Sequence, residues 1–122
     1  MFRVVRVKNC NLSKLPEGII AVRSDFARSK EEFYLAYLLA KLAFKNKKNI
    51  AKKFKYEFLL WLTGKRDIRS ALAVSEPKGK MCLLILFKRK KYERIGKRLP
   101  LKLRKHADPL ALERISLSRV AS

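Results

Sequence analysis

The chain holds one histidine, His106, in a basic stretch with no acid or nucleophile placed to work with it. Nucleophilic catalysis needs a Ser or Cys beside a base that a third group orients. His106 has no such company and reads as a surface residue. Glu31 and Glu32 are adjacent, but they lie at the start of a predicted helix, where the dipole favours acids. Gly64-Lys65 looks like the end of a phosphate loop. That motif requires a Gly five positions before its second Gly and a Ser or Thr after the Lys. Leu59 and Arg66 stand there instead. Cys10 and Cys82 lack the close spacing of zinc ligands. Both sit in or beside apolar segments and read as buried thiols, with a disulfide left open. The residues therefore point to no enzyme, no cofactor and no metal.

What remains is cationic. Lys and Arg number 31 against 10 acids, a formal net charge of +21 in 122 residues. A chain of this charge repels itself until a partner neutralises it; nucleic acid is the usual partner and a membrane surface the alternative. A thermophilic surface normally carries Glu beside its Lys, and Glu is scarce here. By segment, residues 1–44 carry +4, 45–69 carry +7, 70–107 carry +10, and 108–122 are neutral. Lys52, Lys53 and Lys55, then Lys65, Arg66 and Arg69, are the candidate phosphate contacts, the last three beside a helix N-terminus. Trp61 and Phe54 have the rings to stack on bases, although their helical spacing suits a core.

These residues need elements to hold them. Phe2 to Val7 and Ile19 to Val22, separated by the turn signal Pro16-Glu17-Gly18, predict a pair of strands resembling a hairpin. Ser29-Lys30-Glu31-Glu32 has capping-box spacing, and Phe33, Ala36, Tyr37, Ala40 and Phe44 follow on one helical face. Asn46 to Asn49 breaks that helix. A second helix is predicted from about Ile50 to Leu62, with Ile50, Phe54, Phe58, Trp61 and Leu62 inward, ending at Thr63-Gly64. Asp67 is placed to cap a short third helix carrying Ile68, Ala71 and Leu72. After the turn signal Glu76 to Gly79, Met81 to Phe87 forms the clearest strand in the chain. Lys88 to Arg98 is basic and ambiguous. Leu99, Leu101 and Leu103 alternate as a further strand that Pro100 confines to an edge. Asp108-Pro109 opens a last helix, about 108–120, with Leu112, Ile115 and Leu117 on its apolar side. Helices grouped rather than alternating with strands predict an α+β fold: a small, mostly antiparallel sheet packed against a group of helices, one domain over 1–122. No apolar run approaches the length of a membrane span and the N-terminus has no signal-peptide core, so the expectation is a cytoplasmic protein with no membrane role.

The stretch from Asn49 to Leu72 carries an ordered set: Glu57, an apolar helix, Thr63, Gly64, then Ile68 and Ala71 three apart. This resembles the tRNA-binding small subunit of the KEOPS complex, the family of the PRPK-binding protein, over about residues 25–87. The inward alanines Ala36, Ala40 and Ala43 fit as well. Two departures stand out: Asp67 where the family favours Gln, and Ser75-Glu76-Pro77 where it favours a Gly before the next strand.

The resemblance implies a non-catalytic subunit that binds the tRNA 3′ CCA end and the small kinase or ATPase subunit, in support of threonylcarbamoyladenosine synthesis by another subunit. On it, Lys52, Lys53, Lys65, Arg66 and Arg69 neutralise the RNA backbone, and an apolar slot near Ile50 or Ile68 receives a terminal base. The neutral C-terminal helix, through Leu112, Ile115 and Leu117, meets the kinase subunit; its apolar side equally suits packing on its own core. The rival expectations are a generic basic protein for structured RNA, and a kinase-regulatory subunit with no RNA role.

Overall fold

The computed structural model describes residues 2–8, 15–24, 29–77, 81–88, 97–99, 101 and 109–117. The elements run β1 (Arg3–Lys8), β2 (Ile19–Arg23), α1 (Lys30–Lys45), α2 (Phe54–Thr63), α3 (Ile68–Ser75), β3 (Met81–Leu86), β4 (Lys97–Leu99) and α4 (Pro109–Ser116). The fold is α+β. The chain divides into two compact units, a sheet unit of 1–26 and 75–102 and a helical unit of 27–74 and 103–122.

The sheet has the order β2-β3-β1-β4, and every pairing is antiparallel. β1 and β2 are not a hairpin pair, as their proximity in sequence suggested. Both pair with β3, which lies between them. The reason is apolarity: β3 is buried at every position from Cys82 to Leu86, so it takes an inner place, where both strand edges and both faces are shielded. Val5, Val7, Ile19, Ala21, Cys82, Leu84 and Leu86 cluster on one face, with Leu15 against them. β4 is the short edge strand, and the predicted continuation through Leu103 falls mostly outside the described residues, as does nearly all of 88–98.

Cys82 is fully buried and disulfide-bonded, which corrects the expectation of a buried thiol. The sequence separation concealed this. Pairing of Lys8 with Met81 lays the end of β1 beside the start of β3. Cys10 itself, like His106, lies outside the described residues.

In the helical unit, α1, α2 and α4 pack on one another. α1 opens with the predicted capping box: the Glu32 amide donates to Ser29 Oγ, and Glu32 Oε2 accepts from the Ser29 amide at 3.1 Å. Its inward face is Phe33, Ala36, Tyr37, Ala40 and Ala43. Glu32 has a second task. Its Oε1 lies 3.4 Å from Arg114 Nη2, tying α4 to the start of α1. Phe54 meets Tyr37 edge-on with ring centroids 5.6 Å apart and Phe44 at 5.7 Å, so it packs across the α1–α2 seam.

Candidate nucleic-acid interface

α2 begins at Phe54, four residues later than the apolar spacing predicted. The cause is Glu57. This carboxylate is fully buried, and its Oε1 accepts from the amides of Ile50 at 2.9 Å and Ala51 at 3.0 Å. Its Oε2 accepts from Trp61 Nε1 at 3.2 Å, one helical turn on. Those amides are thereby drawn out of the helix and folded against its first turn. Asn49 Nδ2 donates to Ala51 O at 2.8 Å and tightens the same loop. A buried acid held by three donors is satisfied rather than strained. Ile50 is therefore not an inward helical residue; it is half-exposed on a fixed loop, followed by exposed Lys52 and Lys53.

The other end of α2 is closed by Gly64 in the left-handed region, φ 73°, with its amide donating to Leu60 O and Trp61 O. A side chain there would meet the steric cost that Gly avoids. Thr63 Oγ1 donates to Leu59 O at 2.8 Å and accepts from the Lys65 amide at 3.3 Å, which steers the chain out of the helix. Lys65, Arg66 and Arg69 are exposed, and Ile68 and Leu72 are partly exposed. Of the predicted inward residues of α3, only Ala71 is buried.

The structure thus separates the two sets of cations. Lys52 and Lys53 precede α2, and Lys65, Arg66 and Arg69 follow it; ten residues at 1.5 Å each set the two ends about 15 Å apart. Ile50 belongs with the first set and Ile68 with the second. Lys55 is drawn aside, its ammonium 5.2 Å from the Tyr56 ring centroid. Trp61 is half-buried and hydrogen-bonded to Glu57, and Phe54 belongs to the α1–α2 seam.

The N-terminus of α3 is already occupied by an anion. Asp67 Oδ1 accepts from the Ser70 amide at 2.8 Å. The helix end is thus taken, and the cations beside it are the exposed side chains of Lys65, Arg66 and Arg69. The Ser70 hydrogen bonds, helped by Arg69 and Lys65, hold the Asp67 carboxyl below its ordinary value of 3.8. A carboxyl lowered on folding stabilises the fold above its unfolded pKa, and that contribution is lost as pH falls through the folded pKa. Asp67→Asn, which keeps a capping oxygen but cannot titrate, should flatten the dependence of stability on pH below about pH 4. Thermal melts of the two proteins from pH 2.5 to 7 check this; identical profiles would show that Asp67 does not contribute.

In α4, Ile115 is fully buried, Leu112 half-buried, and Leu110 and Leu117 exposed. Ile115 belongs to the core of the helical unit and is not presented to a partner. Among the described residues no group of His, Cys, Asp and Glu is arranged to hold a metal ion, and no helix is long and apolar enough to cross a membrane. No family model and no curated protein matches the chain.

Proposed function

We propose that this chain is a non-catalytic, cytoplasmic tRNA-binding subunit of a KEOPS-type complex, holding the 3′ CCA end of the tRNA. Glu57 carries the reading. It is the first residue of the ordered motif that resembles the KEOPS small subunit, and its buried carboxylate holds the loop that presents Ile50, Lys52 and Lys53. A preformed loop offering an exposed apolar side chain beside two cations suits a splayed, single-stranded RNA end. The cations meet phosphates, and the apolar side chain meets the face of an unstacked base. Lys65, Arg66 and Arg69, beyond the far end of α2, extend the cationic surface along the RNA. α4 is the element assigned to the small kinase or ATPase subunit, through Leu112 and Leu117 rather than the buried Ile115.

A second reading, a general binder of structured RNA, draws support from the +10 carried by residues 73–107, outside the motif. One measurement separates the two. Matched full-length and CCA-truncated tRNAs are titrated across a salt series. The KEOPS-type reading expects truncation to weaken binding at least tenfold with a nearly unchanged log–log salt slope, because the tail adds base contacts more than charge. Equal affinities for both RNAs would leave the general binder standing instead.

A further inference from the structure

α1 carries more apolar surface than its inward face accounts for. That face consists of Phe33, Ala36, Tyr37, Ala40 and Ala43, all buried. A helix with a single apolar partner shows polar residues on its other side. Here the other side holds Leu35, Leu38, Leu39 and Leu42, at the i, i+3, i+4, i+7 spacing that lines one helical face. Leu35 and Leu39 are half-buried, while Leu38 is 45% and Leu42 52% exposed. Single exposed leucines are ordinary on a protein surface. Four in one stripe over about 10 Å, two helical turns, make a seam of the kind a second helix fills. The rim of the stripe is cationic. At about 100° per residue, Lys30, Lys41 and Lys45, all exposed, fall within about 60° of one another, along the side where Tyr34 stands exposed. The Lys41 ammonium lies 5.2 Å from the Tyr37 ring centroid, which keeps it on that side. Acid on α1 is confined to its first turn, at Glu31 and the buried Glu32.

We propose that the leucine stripe of α1 is a docking face for an amphipathic helix of a partner protein, one whose own apolar stripe is flanked by Asp and Glu. Charge decides the occupant. A second copy of this chain brings two sets of Lys30, Lys41 and Lys45, and +21 on each chain, to one seam, where like charges repel. An acidic helix meets the same lysines as opposite charges, as flanking residues do along a coiled coil. A lipid surface suits the stripe less well. An interfacial helix sinks its apolar face into the bilayer, whereas Leu35 and Leu39 are already half-buried. RNA is met by charge, hydrogen bonds and aromatic stacking, and leucines supply none of these. The stripe uses none of the residues assigned to RNA or to the kinase subunit, so this inference goes beyond the proposed function and does not depend on it.

The test uses the full chain, its L38Q/L42Q variant and a fluorescein-labelled helical peptide with leucines at the same spacing and Glu on both flanks. Gln keeps helix propensity and net charge, so the variant removes the apolar contact alone. Wild type is expected to bind this peptide at least tenfold more tightly than the variant does, and at least tenfold more tightly than it binds the same peptide with Lys in place of Glu. Melting temperatures of wild type and variant should agree within about 3 °C, because both leucines are exposed. Equal peptide binding by wild type and variant would reduce the contact to charge and overturn the proposal. A variant that melts many degrees lower would show that the chain's own residues cover the stripe, which also overturns it. Three further results each overturn it by giving the face another occupant. Sedimentation showing a wild-type dimer that the variant loses assigns it to a second copy. Vesicles of anionic lipid that bind wild type and not the variant assign it to a membrane. A tRNA affinity that falls in the variant assigns it to RNA. Wild-type protein that binds the acidic peptide by way of the leucines but binds no tRNA would overturn the proposed function and support the docking face.

Discussion

Glu57→Leu should cost the fold about 3–5 kcal/mol, because it strands the Ile50 and Ala51 amides and the Trp61 indole N–H that the carboxylate now satisfies. Each buried donor left without an acceptor keeps its desolvation cost, and Ala51 is almost wholly buried. Glu57→Gln should cost less, about 1–2 kcal/mol, since its one carbonyl oxygen can still accept from the loop amides but not also from Trp61. Trp61 is the chain's sole tryptophan, so urea unfolding followed by its fluorescence reports directly on this site. Hydrogen exchange at Ile50 and Ala51 adds a local readout, with protection lost in the Leu variant. A Leu variant within about 0.5 kcal/mol of wild type, with both amides still protected, would show that the carboxylate does not hold the loop. The functional consequence is larger than the energy alone. On the proposed RNA-binding reading, the loop carrying Ile50, Lys52 and Lys53 has no fixed geometry without Glu57, and ordering it would fall to the RNA.

Phe58→Ala should be comparably severe, at about 3–5 kcal/mol, since it removes a fully buried ring from α2 and leaves a cavity that its neighbours only partly fill. The comparison that gives this meaning is Leu72→Ala on α3. Leu72 is 41% exposed, and its loss should change stability by less than about 1 kcal/mol. Both residues are large and apolar on adjacent helices, so composition alone does not distinguish them. Denaturant midpoints measured side by side decide the matter. Equal effects would mean that α2 does not carry the core of the helical unit.

The features legible in the sequence are those whose signal and consequence lie within a few residues of each other. The Ser29–Glu32 capping box, the Gly64 stop, the Asp67 cap and the Pro109 start all act within one helical turn, and each has its predicted place. Met81 to Leu86 was readable as a strand because no polar residue interrupts it. The α+β class followed from the order of those local units. The charge, +21, was readable without any structure.

Tertiary structure decided what depends on contacts across the chain. Apolar periodicity could not foresee that a buried acid would unwind the predicted start of α2, because the pattern scores Ile50 as a core residue and ignores the hydrogen bond from its amide. Sequence proximity placed β1 beside β2, whereas burial placed β3 between them. Counting residues did not reveal that Cys82 sits where the end of β1 comes alongside, nor that Lys8 and Lys97 face one another across a ladder. The two clusters of candidate RNA contacts are twelve positions apart from Lys53 to Lys65, and only the straight run of α2 sets them at opposite ends of a rod. Composition determined the charge of this protein; the long-range pairing of buried groups determined where exposed cations such as Lys52 and Lys53 stand.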